Sequence, residues 1–158
     1  MILDMTCGSK MGWIDKNHPD TIYMDRRKET HTLTDGRQVH ITPDIQADFT
    51  QLPFKNETFT LVYFDPPHLT RAGTTSWVYA KYGALLPDWP EHLKAAFHEA
   101  FRVLKPNGVL IFKWNETHIP LNRITPLSPH PPLFGHKSGK HSKTHWLTYI
   151  KPPCEKNT

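Results

Sequence analysis

Cysteine is scarce in this chain: its 158 residues contain only two, Cys7 and Cys154, near opposite ends. They form no C-x-x-C or other spacing typical of metal ligands, and nothing in the pattern requires an oxidising compartment. The sequence also lacks a run of about 18 apolar residues and an amino-terminal basic region followed by an apolar stretch. These absences predict a soluble, cytoplasmic protein without a membrane partner.

Glycine is sparse as well, with 8 residues against 15 prolines. The G-x-G-x-x-G fingerprint is missing, which argues against a dinucleotide cofactor. Prolines are frequent in the last third, where they predict turns and extended structure rather than long helices. What is present, 37% hydrophobic residues in a chain of 158, favours one folded domain over disorder.

The pattern along the chain predicts alternating strands and helices. The strands are predicted at residues 1–5, 21–24, 44–47, 58–64, 109–112 and 146–150, and the helices at 10–17 and 90–104. Asp35-Gly36 between two alternating runs predicts an inserted hairpin at about residues 30–41. Residues 69–88 predict a long loop, and such loops in compact domains are usually functional.

This order predicts an α/β fold, a single Rossmann-like domain with a doubly wound, mostly parallel sheet and an antiparallel edge strand. We expect the domain to span residues 1–151, with residues 152–158 as a tail. In such sheets the ligand binds beyond the carboxyl ends of the strands. The residues predicted there are Thr6 to Ser9, Asp25, Asp48 and Asp65.

Three of these strand ends suit an adenosine-containing ligand. Gly8 lets a ligand approach the backbone, and Asp25 can accept hydrogen bonds from two ribose hydroxyls. Asp48 could accept from the exocyclic amine of adenine, with Phe49 packing on the ring. Each position alone also fits a tight turn or a helix cap, whereas the three in order favour the ligand.

The segment Asp65-Pro66-Pro67-His68, directly after a predicted buried strand, is the most specific signal in the chain. Two prolines stiffen the backbone and remove two donors, so neighbouring carbonyls become fixed acceptors. With the Asp65 carboxylate they could hold both hydrogens of an amino group, which favours attack of its lone pair on an electrophilic methyl group. The alternative is that Asp65 caps a turn and the prolines only end the strand.

On these residues the chain resembles the class I S-adenosylmethionine-dependent methyltransferases. The segment Asp65-Pro66-Pro67-His68 resembles the (D/N)PP(Y/F/W) motif of amino-methyltransferases acting on adenine in DNA or RNA. Residues 101–108, FRVLKPNG, are similar to the RVLKPGG turn common in this superfamily. The resemblance covers about residues 1–113, and the whole chain is similar to short methyltransferases of unassigned substrate encoded by phages and prophages.

The resemblance implies S-adenosyl-L-methionine as the cofactor, with no metal. The implied cofactor-binding residues are Asp4, Met5, Thr6, Cys7, Gly8, Asp25, Asp48, Phe49 and Asp65. The implied catalytic residues are Asp65, Pro66, Pro67 and His68. His68 stands where the family has an aromatic residue that stacks on the flipped base.

The carboxy-terminal region is basic within a chain of formal net charge +4, and residues 129–145 could line a substrate entrance. Its lysines could contact phosphates, so the sequence predicts a DNA or RNA partner, although a solvated tail is the alternative. The predicted substrate-binding residues are Lys113, Trp114, His136, Lys137, Lys140 and Lys143. The histidines in this region fit no usual zinc ligand set.

Three functions are consistent with the sequence. The first is methylation of an amino group of a nucleobase, adenine N6 above all, in DNA or RNA. The second is methylation of a small molecule or a protein from the same cofactor pocket. The third is a non-catalytic nucleic-acid-binding module on this fold. The oligomeric state is open.

Overall fold

The computed structural model describes residues 1–33, 35–70 and 83–153, which form a mixed sheet, a separate hairpin and a helix. The strands are β1 (Ile2–Asp4), β2 (Thr21–Asp25), β3 (Glu29–Thr32), β4 (Gln38–Ile41), β5 (Ile45–Gln46), β6 (Phe59–Phe64), β7 (Leu104–Asn115), β8 (Phe134–Lys137) and β9 (Thr144–Ile150). The helix α1 is Trp89–Val103, and two 3-10 turns, Leu121–Arg123 and Thr125–Leu127, follow β7. None of the helices in this part of the chain is long and apolar enough to cross a membrane.

The main sheet has seven strands in the order β5-β2-β1-β6-β7-β9-β8. Strand β1 pairs in parallel with β2 and β6, and β6 in parallel with β7. Strand β9 runs antiparallel to both β7 and β8. The predicted α/β fold, with a mostly parallel sheet and an antiparallel edge region, is confirmed.

Helix α1 covers one face of this sheet. Its buried residues Leu93, Ala96, Phe97, Ala100 and Phe101 recur at the three- and four-residue spacing of one helical face. On β7 the alternation of strand side chains directs every second residue to the same core. The predicted helix at 90–104 is therefore confirmed, and β7 begins directly at its end.

The predicted helix at residues 10–17 is wrong, because this segment forms turns. Lys10 has a positive φ of 57°, which a right-handed helix does not allow. Gly12 packs so closely on Tyr63 that a Cβ there would lie 2.5 Å from the tyrosine oxygen. The indole of Trp13 is drawn inward by a hydrogen bond to Asp4. Tertiary contacts thus override the apolar spacing.

The inserted hairpin is confirmed as β3 and β4, which pair antiparallel from Glu29↔Ile41 to Thr32↔Gln38. Gly36 supplies the positive φ of 81° that its turn requires. The sequence missed β8, the outermost strand, which lies inside the predicted basic entrance. Most of the predicted loop at 69–88 lies outside the described residues.

Candidate functional site

A cavity of about 440 Å³ opens at the carboxyl ends of the parallel strands. The register explains its position, since Asp4 lies beside Tyr23 on one side and Tyr63 on the other. All residues predicted to bind the cofactor line it, namely Asp4, Met5, Thr6, Cys7, Gly8, Asp25, Asp48, Phe49 and Asp65. The fold therefore brings together residues as distant in sequence as Asp4 and Asp65.

Asp4, at the end of β1, is almost fully buried, yet both of its carboxylate oxygens have partners. Oδ1 accepts from the Thr6 backbone N–H at 3.1 Å, and Oδ2 accepts from Trp13 Nε1 at 2.6 Å. Burial raises the pKa of Asp4 to about 7; the charges of Asp65 and Asp25 act in the same direction, and the hydrogen bonds oppose them. Through these two hydrogen bonds Asp4 holds Thr6, in the first loop, and Trp13 in place.

Asp25, at the end of β2, ties the first loop to the segment that follows β2. Its Oδ2 accepts from the Gly8 backbone N–H at 2.8 Å. Its Oδ1 accepts from the Arg27 backbone N–H at 2.8 Å and from Arg27 Nε at 3.3 Å. Gly8 has a positive φ of 48°, a conformation that suits glycine. The carboxylate is therefore held in one orientation at the cavity wall.

Asp48 follows β5 and is held in a turn. Its Oδ1 accepts from the Thr50 backbone N–H at 2.8 Å and from Thr50 Oγ1 at 2.7 Å. Burial works to raise the pKa of Asp48, but these hydrogen bonds and the nearby Arg26 charge outweigh it and lower the pKa. The neighbouring Phe49 ring meets Phe64 edge to face, with centroids 5.7 Å apart. This corner of the cavity combines a carboxylate with an anchored aromatic ring.

Asp65 follows β6 and carries an unexpected pair of partners. Lys113 Nζ donates to its Oδ2 at 2.6 Å, and the Tyr63 hydroxyl donates to the same oxygen at 3.3 Å. The Asp65 backbone N–H donates to Thr6 Oγ1 at 2.9 Å, which joins the motif to the first loop. Burial, together with the Asp65 charge, raises the pKa of Tyr63, so its hydroxyl stays a donor.

The rest of the Asp-Pro-Pro-His segment divides between core and cavity. Pro66 is buried, whereas Pro67 lines the cavity. His68 is half-buried and does not line the cavity; its ring meets Trp114 edge to face at 6.4 Å. Burial lowers the pKa of His68, which favours a neutral imidazole at pH 7.

The structure corrects the expectation for Trp114. The side chain is fully buried and stacks on Phe112, with centroids 6.0 Å apart and planes 16° apart. Its Nε1 donates to the Ile119 carbonyl at 3.0 Å. Strand alternation directs Trp114 to the α1 face while its neighbour Lys113 points to the other, so Trp114 is a core residue and Lys113 alone of the two lines the cavity.

The other predicted substrate-binding residues are basic and exposed, and they lie on or directly after the edge strand β8. His136 and Lys137 belong to β8, and Lys140 and Lys143 lie between β8 and β9. Glu116 contacts two basic side chains of this region, Lys137 at 3.3 Å and His145 at 2.8 Å. The contact with His145 is the main cause that lowers the pKa of Glu116 to about 2.

Sequence reasoning missed four side chains of this region: Trp13, Arg27, Tyr63 and Trp146. Two of them carried a usable signal, because Arg27 and Tyr63 each lie two residues from a predicted acid. Trp146 stacks on Tyr63 at 6.0 Å, with planes 16° apart, across the intervening strand β7. That contact depends on strand pairing, which no local pattern reveals.

In the part of the chain that the structure describes, no group of three or more His, Cys, Asp or Glu side chains could hold a metal ion. Two histidines of the basic region are engaged elsewhere: His130 packs on Phe101 at 4.7 Å, and His145 contacts Glu116. Burial raises the pKa of the Cys7 thiol. Cys154 lies outside the described residues.

Comparison with known proteins identifies the fold. No protein-family model and no curated protein matches the chain, but solved structures do. A protein of Pyrococcus horikoshii is 15% identical with a TM-score of 0.61, and the match covers 96% of this chain and 81% of that one. The cyclase SpnF is 12% identical with a TM-score of 0.59, covering 96% and 74% of the two chains.

The N-methyltransferase NodS of Bradyrhizobium japonicum, solved in complex with S-adenosyl-L-homocysteine, also matches. It is 14% identical with a TM-score of 0.53, and the match covers 96% of this chain and 76% of NodS. The chain therefore has the Rossmann-like α/β fold of class I S-adenosylmethionine-dependent methyltransferases. At these identities the likeness identifies the fold and leaves activity to the site.

Proposed function

We propose that this protein is an S-adenosylmethionine-dependent methyltransferase that acts on an exocyclic amino group, adenine N6, in DNA or RNA. The observation that carries the proposal is the convergence of Gly8, Asp25, Asp48 and Asp65 on one cavity in a chain with the methyltransferase fold. A cavity of about 440 Å³ lies within the usual range for small-molecule sites.

The cavity residues fit this cofactor. A carboxylate offers about four acceptor positions. Asp25 uses three of them on Gly8 and Arg27, so one position on Oδ2 remains for a ribose hydroxyl. Asp48 uses Oδ1 for Thr50. Its Oδ2 lies 3.9 Å from an Arg26 guanidinium nitrogen, beyond hydrogen-bond distance, and could accept from the amino group of adenine beside Phe49. When bound, S-adenosylmethionine supplies an electrophilic methyl group.

The proposed transfer site is Asp65-Pro66-Pro67-His68. Asp65 Oδ1 and the proline-flanked carbonyls would accept the N–H bonds of the target amino group, which withdraws its lone pair from conjugation with the ring. His68, neutral because burial lowers its pKa, would pack on the target base as a flat ring. These residues bind and orient the amino group and need no covalent contact with it.

The proposal includes a nucleic-acid partner. Lys137, Lys140 and Lys143 are exposed and do not line the cavity, but strand pairing through β9 places them at the same end of the sheet as Lys113, where phosphates of a bound nucleic acid could contact them. The resemblance to short phage and prophage methyltransferases and a cytoplasmic location belong to the same proposal.

A second candidate is methylation of a small molecule. Glu116 lies 3.3 Å from Lys137 and 2.8 Å from His145, so its negative charge offsets part of the positive charge facing a polyanion. SpnF, which matches over 96% of this chain, is named as a cyclase, so this fold also serves other chemistry.

The deciding experiment measures transfer of labelled methyl groups from S-adenosylmethionine to separate pools of DNA, RNA, protein and small metabolites, followed by identification of the modified base. We expect N6-methyladenine in a nucleic-acid pool. Label in metabolites or protein alone would support the second candidate. Cofactor binding by calorimetry with no labelled product in any pool would contradict an enzymatic role.

A further inference from the structure

Asp65 and Lys113 form an adjacent acceptor and donor at the cavity wall. Lys113 Nζ lies 2.6 Å from Asp65 Oδ2, and both residues line the cavity. Both side-chain hydrogen bonds of Asp65, from Lys113 and Tyr63, use Oδ2. Among the residues that the structure describes, none donates a hydrogen bond to Oδ1, which therefore remains an acceptor for an incoming N–H group.

Lys113 also keeps donors of its own. An ammonium group has three N–H bonds, of which Asp65 receives one. The backbone of Lys113 is held by pairing with Trp146 on β9, directly after Phe112, which is the last residue of β7 that pairs with β6. Its Nζ lies 5.5 Å from the centre of the Trp146 ring. The cation is therefore held in the cavity wall instead of extending into solvent.

Resting on the proposed function, we infer that Asp65 and Lys113 together read the edge of the target base. Asp65 accepts from the exocyclic amino group, and Lys113 donates to the ring nitrogen next to it. The carboxamide of Asn or Gln likewise pairs an acceptor with a donor when it binds N6 and N7 on the other edge of adenine. Lys113 is thus a specificity-determining residue that adds a second contact to the one made by Asp65.

This pairing defines a substrate class. It selects bases in which an amino group adjoins an unprotonated ring nitrogen, as N6 and N1 do in adenine and N4 and N3 in cytosine. On the Watson–Crick edge of guanine the neighbouring N1 carries a hydrogen, which opposes the Lys113 donor. Because base pairing occupies this edge in a duplex, the base must be unpaired or flipped out to be read.

The test compares oligonucleotides that differ at one atom. One pair contains adenine or 1-deazaadenine, and the other contains cytosine or 3-deazacytosine; each deaza base replaces the ring nitrogen with C–H and keeps the amino group. Methyl transfer is measured as kcat/KM for the unmodified protein, Lys113→Met and the control Lys94→Met. Lys94 is an exposed residue of α1 away from the cavity.

For the base that is methylated, we expect the unmodified protein and Lys94→Met to prefer the parent over the deaza base. Lys113→Met should reduce that preference by about 10- to 100-fold, the size of one lost hydrogen bond to a charged donor. Because the parent-to-deaza ratio of kcat/KM is compared between variants, the intrinsic reactivity of each amine cancels. Any general loss of activity from breaking the ion pair cancels as well. A purely structural role would lower both rates equally.

Two outcomes would overturn the inference, and they differ in what they say about the proposed function. An unchanged preference in Lys113→Met, with transfer to the parent base intact, overturns the edge reading and leaves the methyltransferase proposal standing. If the unmodified protein binds S-adenosylmethionine but transfers to none of the four bases, the nucleobase assignment and the edge reading fail together.

Discussion

The two halves of the cavity hold their carboxylates in different ways. On the side of β1, β2 and β5, each carboxylate accepts from at least one backbone N–H group, in addition to side-chain donors such as Trp13: Thr6 binds Asp4, and Gly8 and Arg27 bind Asp25. On the side of β6 and β7, the donors to the carboxylate within the described residues are side chains, because Lys113 and Tyr63 donate to Asp65.

This difference has a physical consequence. Backbone donors are fixed by the fold, so their acids have one orientation before any ligand arrives. Side-chain donors rotate on much shorter timescales than the backbone rearranges, so they can change partners when a substrate group enters. The first half is thus a preformed pocket, while the second can exchange hydrogen bonds with a substrate.

The largest effect is expected from removing Asp65, the carboxylate that side chains hold. Asp65→Ala should lower kcat/KM for methyl transfer by about 100-fold or more, the usual scale for a lost transition-state contact. Cofactor affinity should persist, since the Asp65 backbone N–H still bonds to Thr6. Transfer assays and calorimetry on the same preparation check both halves of the expectation. Full activity in this variant would eliminate the amino-group mechanism.

Asp4, in the preformed half, should make the stability of the folded protein depend on pH. Its pKa is raised from 3.8 to about 7 in the folded protein, so the folded state binds the proton more tightly than the unfolded chain. The free energy of unfolding should therefore fall by about 1.36 kcal/mol per pH unit, a few kcal/mol in all, as pH rises from about 4 to about 7. Above about pH 7 it should level off. Denaturant unfolding across this pH range measures it. Asp4→Asn should flatten the curve, and an equally steep curve in that variant would contradict the assignment.

Asp25 tests whether the preformed half binds the cofactor. Asp25→Ala should weaken S-adenosylmethionine binding by about 1 to 3 kcal/mol, because a ribose hydroxyl and the Gly8 N–H both lose an acceptor. Asp35→Ala is the matched control, since Asp35 pairs with Arg37 on the exposed hairpin. If calorimetry finds the same affinity for S-adenosylmethionine in both variants, Asp25 does not contribute to cofactor binding.

The smallest effect is expected outside the cavity. Replacing Lys137, Lys140 and Lys143 with Gln should lower nucleic-acid affinity and reduce its dependence on salt, because fewer counterions are released on binding. Exposed Lys28, Lys55 and Lys94, replaced together, give a control with the same net charge. Binding titrations at several salt concentrations provide the slopes. Equal slopes for the two triple variants would show that these three lysines contact no phosphate.

The failures of sequence interpretation share a cause. The apolar spacing of residues 10–17 fits a helix, but the contact of Gly12 with Tyr63 and the pull of Asp4 on Trp13 favour turns. Strand β8, with the sequence FGHK, has no buried side chain and hence no apolar signal. In both places the decisive partners are distant in sequence.

Local pattern did determine several features. The spacing of Leu93, Phe97 and Phe101 defined α1, Asp35-Gly36 defined the hairpin, and polar residues after apolar runs marked the strand ends that line the cavity. Those features follow from the periods of helix and strand and from turn chemistry, which a few consecutive residues encode. Only the tertiary structure decided that Trp114 turns inward and that Lys113 meets Asp65. Strand pairing brings such side chains together across long sequence separations, and no local period records which strands become neighbours.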